Sequence, residues 1–173
     1  MRLIADTHVH IYPDYDIKLA LNTLRTNLSP LDNQVICIAF LAERSDCMFF
    51  SGFKENIAAV LSPAVEVRYL KNALHLREDG YPDLYIFPGR QIITSERIEI
   101  LSLTLDLQIP DGLTAGEVVN KVRHEGGIPV LSWAPGKWFF KRWKVVKELI
   151  DSSQPGSLLI GDTTLRPTCG SQP

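Results

Sequence analysis

Val35-Ile36-Cys37-Ile38-Ala39-Phe40-Leu41 is an unbroken apolar run of strand length. Its lack of alternation predicts a strand buried on both faces, as in a parallel sheet covered by helices. Upstream, Ile17 to Asn27 places Leu19, Leu21, Leu24 and Leu28 on or near one helical face. Before that helix, Arg2 to Thr7 reads as a first strand, and after the apolar run Met48 to Asn56 reads as a short helix.

The middle of the chain is less regular. Val65 to Leu70, Ala73 to Leu76 and Leu84 to Phe87 read as short strands, with a turn at Asp79-Gly80-Tyr81-Pro82-Asp83. Gln91 to Thr94 and Ile98 to Leu103 add two extended pieces, so hairpins are expected beside the main sheet. Alternation then returns. Thr114 and Glu117 have the spacing of a capping box, the helix runs to about His124, and Gly126-Gly127 ends it. Ile128 to Trp133 predicts a strand, Trp138 to Asp151 a cationic helix, and Ser157 to Gly161 a last strand. Strand–helix–strand alternation predicts an α/β domain over residues 1–167 with a mostly parallel sheet. The stretch Thr168 to Pro173 is expected to be an unstructured tail.

The chain has 173 residues, 45% of them hydrophobic, and a net charge of −2. That is an ordinary globular composition with no global pull toward nucleic acid or an anionic membrane. Cys37, Cys47 and Cys169 form neither a disulfide framework nor a C-x-x-C zinc signature, which fits a reducing cytoplasm. The charged residues among the first ten argue against a signal peptide, and no stretch approaches a membrane span.

The first strand runs into Asp6-Thr7-His8-Val9-His10. Residues two apart in a strand share a face, so His8 and His10 are expected to aim both imidazoles at one point and bind a metal there. Asp6 has the same parity and is a candidate further ligand or an orienting partner. Sites in α/β folds form at the carboxyl ends of strands. Those ends supply Glu43 and Arg44, then Arg90 and Gln91, then Lys137 after Trp133, and finally Asp162 and Arg166. Glu43 and Arg44 also read as a solvated loop pair. Lys137 follows Gly136 ahead of a helix, and reads either as a phosphate contact or as a helix-start surface charge. Lys141, Arg142, Lys144 and Lys147 read as a wet helix face, the three tryptophans as packing, and His75 and His124 as structural.

These motifs resemble the PHP (polymerase and histidinol phosphatase) domain family, within the wider group of amidohydrolase-like metal barrels. Asp6-Thr7-His8-Val9-His10 matches that family's D-x-H-x-H opening. Pro88-Gly89-Arg90-Gln91-Ile92 resembles its P-G-x-E-I segment, and Gly112 to Leu131 its helix–Gly-Gly–strand unit. The resemblance implies a distorted or incomplete TIM-like (β/α)7 barrel, shortened at its C-terminus. It also implies a cluster of zinc, manganese or iron ions that activates water against a phosphoester.

The chain departs from the pattern in three places. Ala42-Glu43-Arg44 stands where the family has T-D-H, Gln91 replaces a glutamate ligand, and Trp133-Ala134-Pro135 replaces A-H-P. Two functions follow. In the first, a metal-dependent phosphoesterase, His8, His10 and Asp162 bind one divalent ion and Glu43 is the general base. Arg44, Arg90, Lys137 and Arg166 then hold an anionic or phosphorylated substrate. In the second, the metals are lost and a non-catalytic module binds a small anion or a partner protein. An unclosed sheet would leave strand edges for a second subunit to cover.

Overall fold

The computed structural model describes residues 2–12, 14–29, 35–133, 138 and 140–161. In chain order, the first half forms β1 (Arg2–Val9), α1 (Ile17–Leu28), β2 (Val35–Leu41), α2 (Phe49–Val60), β3 (Glu66–Tyr69), β4 (Leu74–Arg77) and β5 (Asp83–Phe87). The second half forms β6 (Gly89–Ile93), β7 (Glu99–Leu103), α3 (Ala115–His124), β8 (Ile128–Ser132), α4 (Lys141–Ser152) and β9 (Leu159–Gly161).

The strands make two mixed sheets, ordered β1-β2-β5-β4-β3 and β6-β7-β8-β9. The distorted or incomplete TIM-like (β/α)7 barrel is therefore corrected. Among the described residues there are four helices, and β1 and β9 are unpaired outer edges of different sheets. The mostly parallel arrangement also gives way. β1, β2 and β5 run parallel and so do β8 and β9, but β3-β4-β5 and β6-β7-β8 pair antiparallel. The physical reason lies in the links. The connections β3–β4, β4–β5 and β6–β7 are a few residues long, whereas a parallel neighbour needs a crossover of a dozen residues or more.

β2 shows the consequence. Its Val35, Cys37, Ala39 and Leu41 are fully buried, packed with Leu21, Leu24 and Leu28 of α1 and Phe50, Phe53 and Ile57 of α2. Ile36, Ile38 and Phe40 on the other face are only partly buried. Among the described residues no ring of strands closes over that face.

α1 starts where Asp16 accepts the Leu19 amide at 3.0 Å. α3 carries the expected capping box: Thr114 Oγ1 accepts from the Glu117 amide, and Glu117 Oε2 accepts from the Thr114 amide at 2.8 Å. α4 begins at Lys141, three residues after the predicted start. Trp138, ahead of it, packs edge-on against Trp133 at 4.8 Å, in a second core with α3 and Val146. His75 is buried and stacks on Tyr85 at 4.3 Å.

A corner at Pro88 ties the two sheets together. β5 ends at Phe87 and β6 begins at Gly89. Just past β2, the Glu43 amide donates to Gly89 O at 3.0 Å and Glu43 O accepts from the Gln91 amide at 2.8 Å. β2 itself pairs with β5 up to Phe40 with Phe87, so the run from β2 through Glu43 is bonded to both halves of one bent strand. Gly89 is required at the bend, since a Cβ there would lie 2.1 Å from Leu41 O and 2.9 Å from Ser102 O.

Candidate functional site

β1 reaches the mouth, the open rim at the carboxyl ends of β1 and β2, through an irregularity. It pairs with β2 as Asp6 with Ala39 and then Val9 with Leu41, which inserts one extra residue into β1. Bulges of this kind re-aim side chains and are common beside active sites. The His8 amide donates to Asp6 Oδ1 at 2.9 Å, so Asp6 fixes the backbone here rather than an imidazole. The His8 and His10 rings converge as the spacing predicts, with centroids 4.9 Å apart. His10 stacks on Tyr12 at 5.8 Å, nearly parallel, and the Arg44 guanidinium lies 5.8 Å from the centre of the Tyr12 ring. His8, His10, Tyr12 and Arg44 therefore form a ladder of flat side chains. Burial, and after it the neighbouring His8, hold the His10 imidazole below its ordinary pKa, against the opposing pull of the Ala42 backbone and Glu99.

Glu43 and Arg90 come together one layer deeper, both 4% exposed. Glu43 Oε1 accepts the Phe50 amide at 2.7 Å and Oε2 the Phe49 amide at 3.0 Å. It thus supplies the N-terminal cap of α2, whose own preceding residue Met48 makes no side-chain cap. Arg90 Nη1 lies 3.3 Å from Glu43 Oε2 and also donates to Cys47 O. Its Nη2 is 3.6 Å from Asp106 Oδ1. Burial pushes the Glu43 carboxyl above its ordinary range, opposed by the Phe50 amide and the Arg90 guanidinium. Both residues are committed to holding β2, α2 and β6 in place.

The remaining sequence candidates divide. Arg44 is half exposed at the rim and pairs with Asp46 through Nε at 3.0 Å and Nη2. Gln91 Oε1 lies 3.3 Å from His8 Nε2 and accepts from it in the tautomer that carries the proton there. Lys137, Asp162 and Arg166 lie outside the described residues. On one side of the imidazoles is an open cleft of about 630 Å³ that also touches Asp14, Asp16 and Leu19. Gln91 lines a second cleft of about 400 Å³ with Ser45, Gln108 and Asp111. Tyr12 and Asp106 were not singled out by the sequence. Aromatic spacing after His-x-His was the available signal for Tyr12; nothing local announces Asp106.

The described donor residues do not assemble a metal cluster. A catalytic zinc site needs about three protein ligands. Among the described residues, no group of three or more His, Cys, Asp or Glu side chains is placed to hold an ion. The carboxylate nearest in sequence logic, Glu43, has both oxygens engaged by amides.

No protein-family model matches the chain, and no curated protein matches it. Among solved structures it is similar to the crystal structure of PsfC from Pseudomonas syringae PB-5123, with a TM-score of 0.50 and 17% identity. The similarity covers 79% of this chain and 59% of that one, so the chain spans little more than half of its structural neighbour. At that identity the likeness concerns the fold alone.

Proposed function

We propose that the protein is a binding module for a small anionic molecule, a phosphate ester above all, held at the mouth by Arg44, His10, Tyr12 and Gln91. The observation that carries this reading is the state of Glu43. Its oxygens are bonded to the Phe49 and Phe50 amides, and Arg90 sits against it. Among the described residues no set of carboxylates is placed with the histidine pair to hold an ion, although Asp6, Asp14 and Asp16 line the cleft beside it, while the Tyr12 ring, the Gln91 amide and the Arg44 guanidinium stand next to the pair. Arg44 must exchange Asp46 for the ligand. An exposed pair of this kind is weakened by solvent screening, and a phosphate dianion competes well for the guanidinium fork. Cys37 and Cys47 are both unpaired and buried, which supports a reducing cytoplasm as its compartment. Among the described residues no helix is long and apolar enough to cross a membrane.

A second reading, a one-metal phosphoesterase, is favoured by the 4.9 Å approach of the imidazoles and the lowered His10 pKa, which keeps that ring in its metal-binding form. Calorimetric titration with phenyl phosphate separates the two. The binding reading expects saturable binding at one site and no release of phosphate. Arg44→Ala abolishes that binding, and His8→Ala, whose ring is already bonded to Gln91, weakens it only slightly. Uptake of one zinc or manganese ion with hydrolysis that His8→Ala abolishes would overturn it in favour of the enzyme.

A further inference from the structure

A second polar site lies away from the mouth, between α1, the end of α2 and the end of β4. Arg25 is 3% exposed, on the buried face of α1 among Leu21, Leu24 and Leu28. Its Nη1 donates to Glu78 Oε2 at 2.6 Å. Its Nε and Nη2 are shut off from solvent and have no hydrogen-bond partner among the described residues. Those two nitrogens form the side edge of the guanidinium, the edge that takes a carboxylate or phosphate through two parallel bonds. Leaving a buried donor unsatisfied costs about 1–3 kcal/mol, more for a charged group, so a vacant edge in a native core calls for an explanation.

The surroundings supply one. Arg25 lines a cavity of about 250 Å³ with Lys18, Asn22, Ser62, Glu78 and Tyr81. Lys18, Asn22 and Arg25 are spaced four and three residues apart, so one helix face presents all three. Leu21, Leu61, Val65 and Leu76 line the rest. Two cations face a single carboxylate, Glu78, among the lining residues, and the walls between are apolar. The Tyr81 ring, half exposed, lies 5.6 Å from the guanidinium and is the wall that an incoming ligand would shift.

We propose that this cavity binds a small organic oxyanion, with its carboxylate or phosphate on the Nε–Nη2 edge of Arg25 and Lys18, and its short apolar body against Leu61 and Val65. No bond is made or broken; the step is non-covalent. The site is independent of the mouth, so its test uses the full chain carrying Arg44→Ala.

Butyrate, inorganic phosphate and chloride are titrated into that protein, followed by calorimetry and by melting temperature. Saturable binding of butyrate or phosphate at one site per chain is expected, with a melting temperature that keeps rising with ligand concentration. Butyrate binding more tightly identifies a carboxylate with an apolar tail, and phosphate binding more tightly identifies a phosphate headgroup. Arg25→Lys, which keeps the charge but loses the fork, is expected to reduce affinity at least tenfold. Should that buried variant fail to fold, Lys18→Ala on the exposed side of the cavity carries the same expectation of a several-fold loss. Absence of saturable binding of both anions, or affinity unchanged in Lys18→Ala, overturns the proposal.

Discussion

Glu43 and Arg90 sit beside the strand end that carries Arg44, whose carbonyl lies 3.4 Å from Arg90 Nη1, yet this pair and the set His8, His10 and Arg44 live under opposite conditions. The inner pair is almost sealed, and the Glu43 oxygens are spent on two backbone amides. The outer set is open to a cleft and held by one exposed ion pair and ring contacts. Both groups carry the residue types of catalytic sites, and both follow strands. What separates them is hydrogen-bond inventory. A charged group becomes available for chemistry only when the fold does not already need it.

The sharpest way to break this contrast is Arg90→Met, which leaves the Glu43 carboxylate buried without its cation. A loss of about 3–5 kcal/mol is expected in urea unfolding. Gly89→Ala attacks the same corner sterically, by driving a Cβ into Leu41 O. It is expected to cost about 1–3 kcal/mol or more, read from the same unfolding midpoint. Thr114→Ala, far from both groups, removes one half of the α3 capping box and serves as a yardstick near 1 kcal/mol. Arg44→Ala sharpens the comparison from the other side. Its unfolding midpoint should stay at that of the parent, while phenyl phosphate binding at the mouth disappears.

The smallest expected effect is a pH dependence. The His10 pKa is lower folded than the ordinary 6.5, so the unfolded chain takes up its proton first. The neutral ring's contribution is complete above about pH 6.5 and is lost as pH falls through the lowered folded value. His10→Gln should flatten the unfolding free energy across that acid range and leave it unchanged at pH 8. A slope that persists in the variant would assign the dependence to another group.

Much of the local structure was legible in the sequence. The unbroken run Val35 to Leu41 forms an interior strand, although only one of its faces is fully buried where both were expected, and the Thr114–Glu117 spacing forms the cap it predicts. The convergence of His8 and His10 also follows from parity, although the residue inserted before Val9 was invisible, because a bulge depends on the partner strand. The architecture was not legible. Alternation of strands and helices suggested a mostly parallel sheet, and the family resemblance a distorted or incomplete (β/α)7 barrel, but short links at 70–73, 78–82 and 94–98 go with antiparallel neighbours, and the strands form two sheets. Nor could residue type reveal that Glu43 caps α2, since its amide partners come from Phe49 and Phe50 six and seven positions on. Arg25 escaped notice for a related reason: in an amphipathic pattern an arginine beside leucines reads as a flank, and only its missing partners make it unusual.

The bend at Pro88 also bears on how the molecule comes apart. One continuous run from Asp83 to Ile93 is a member of both sheets, and the end of β2 is bonded on either side of its kink. Melting either sheet strips that run of half its neighbours and loosens the other. Heat or urea should therefore produce one sharp transition seen alike by tryptophan fluorescence, which reports on the half holding Trp133 and Trp138, and by circular dichroism, which reports on the whole.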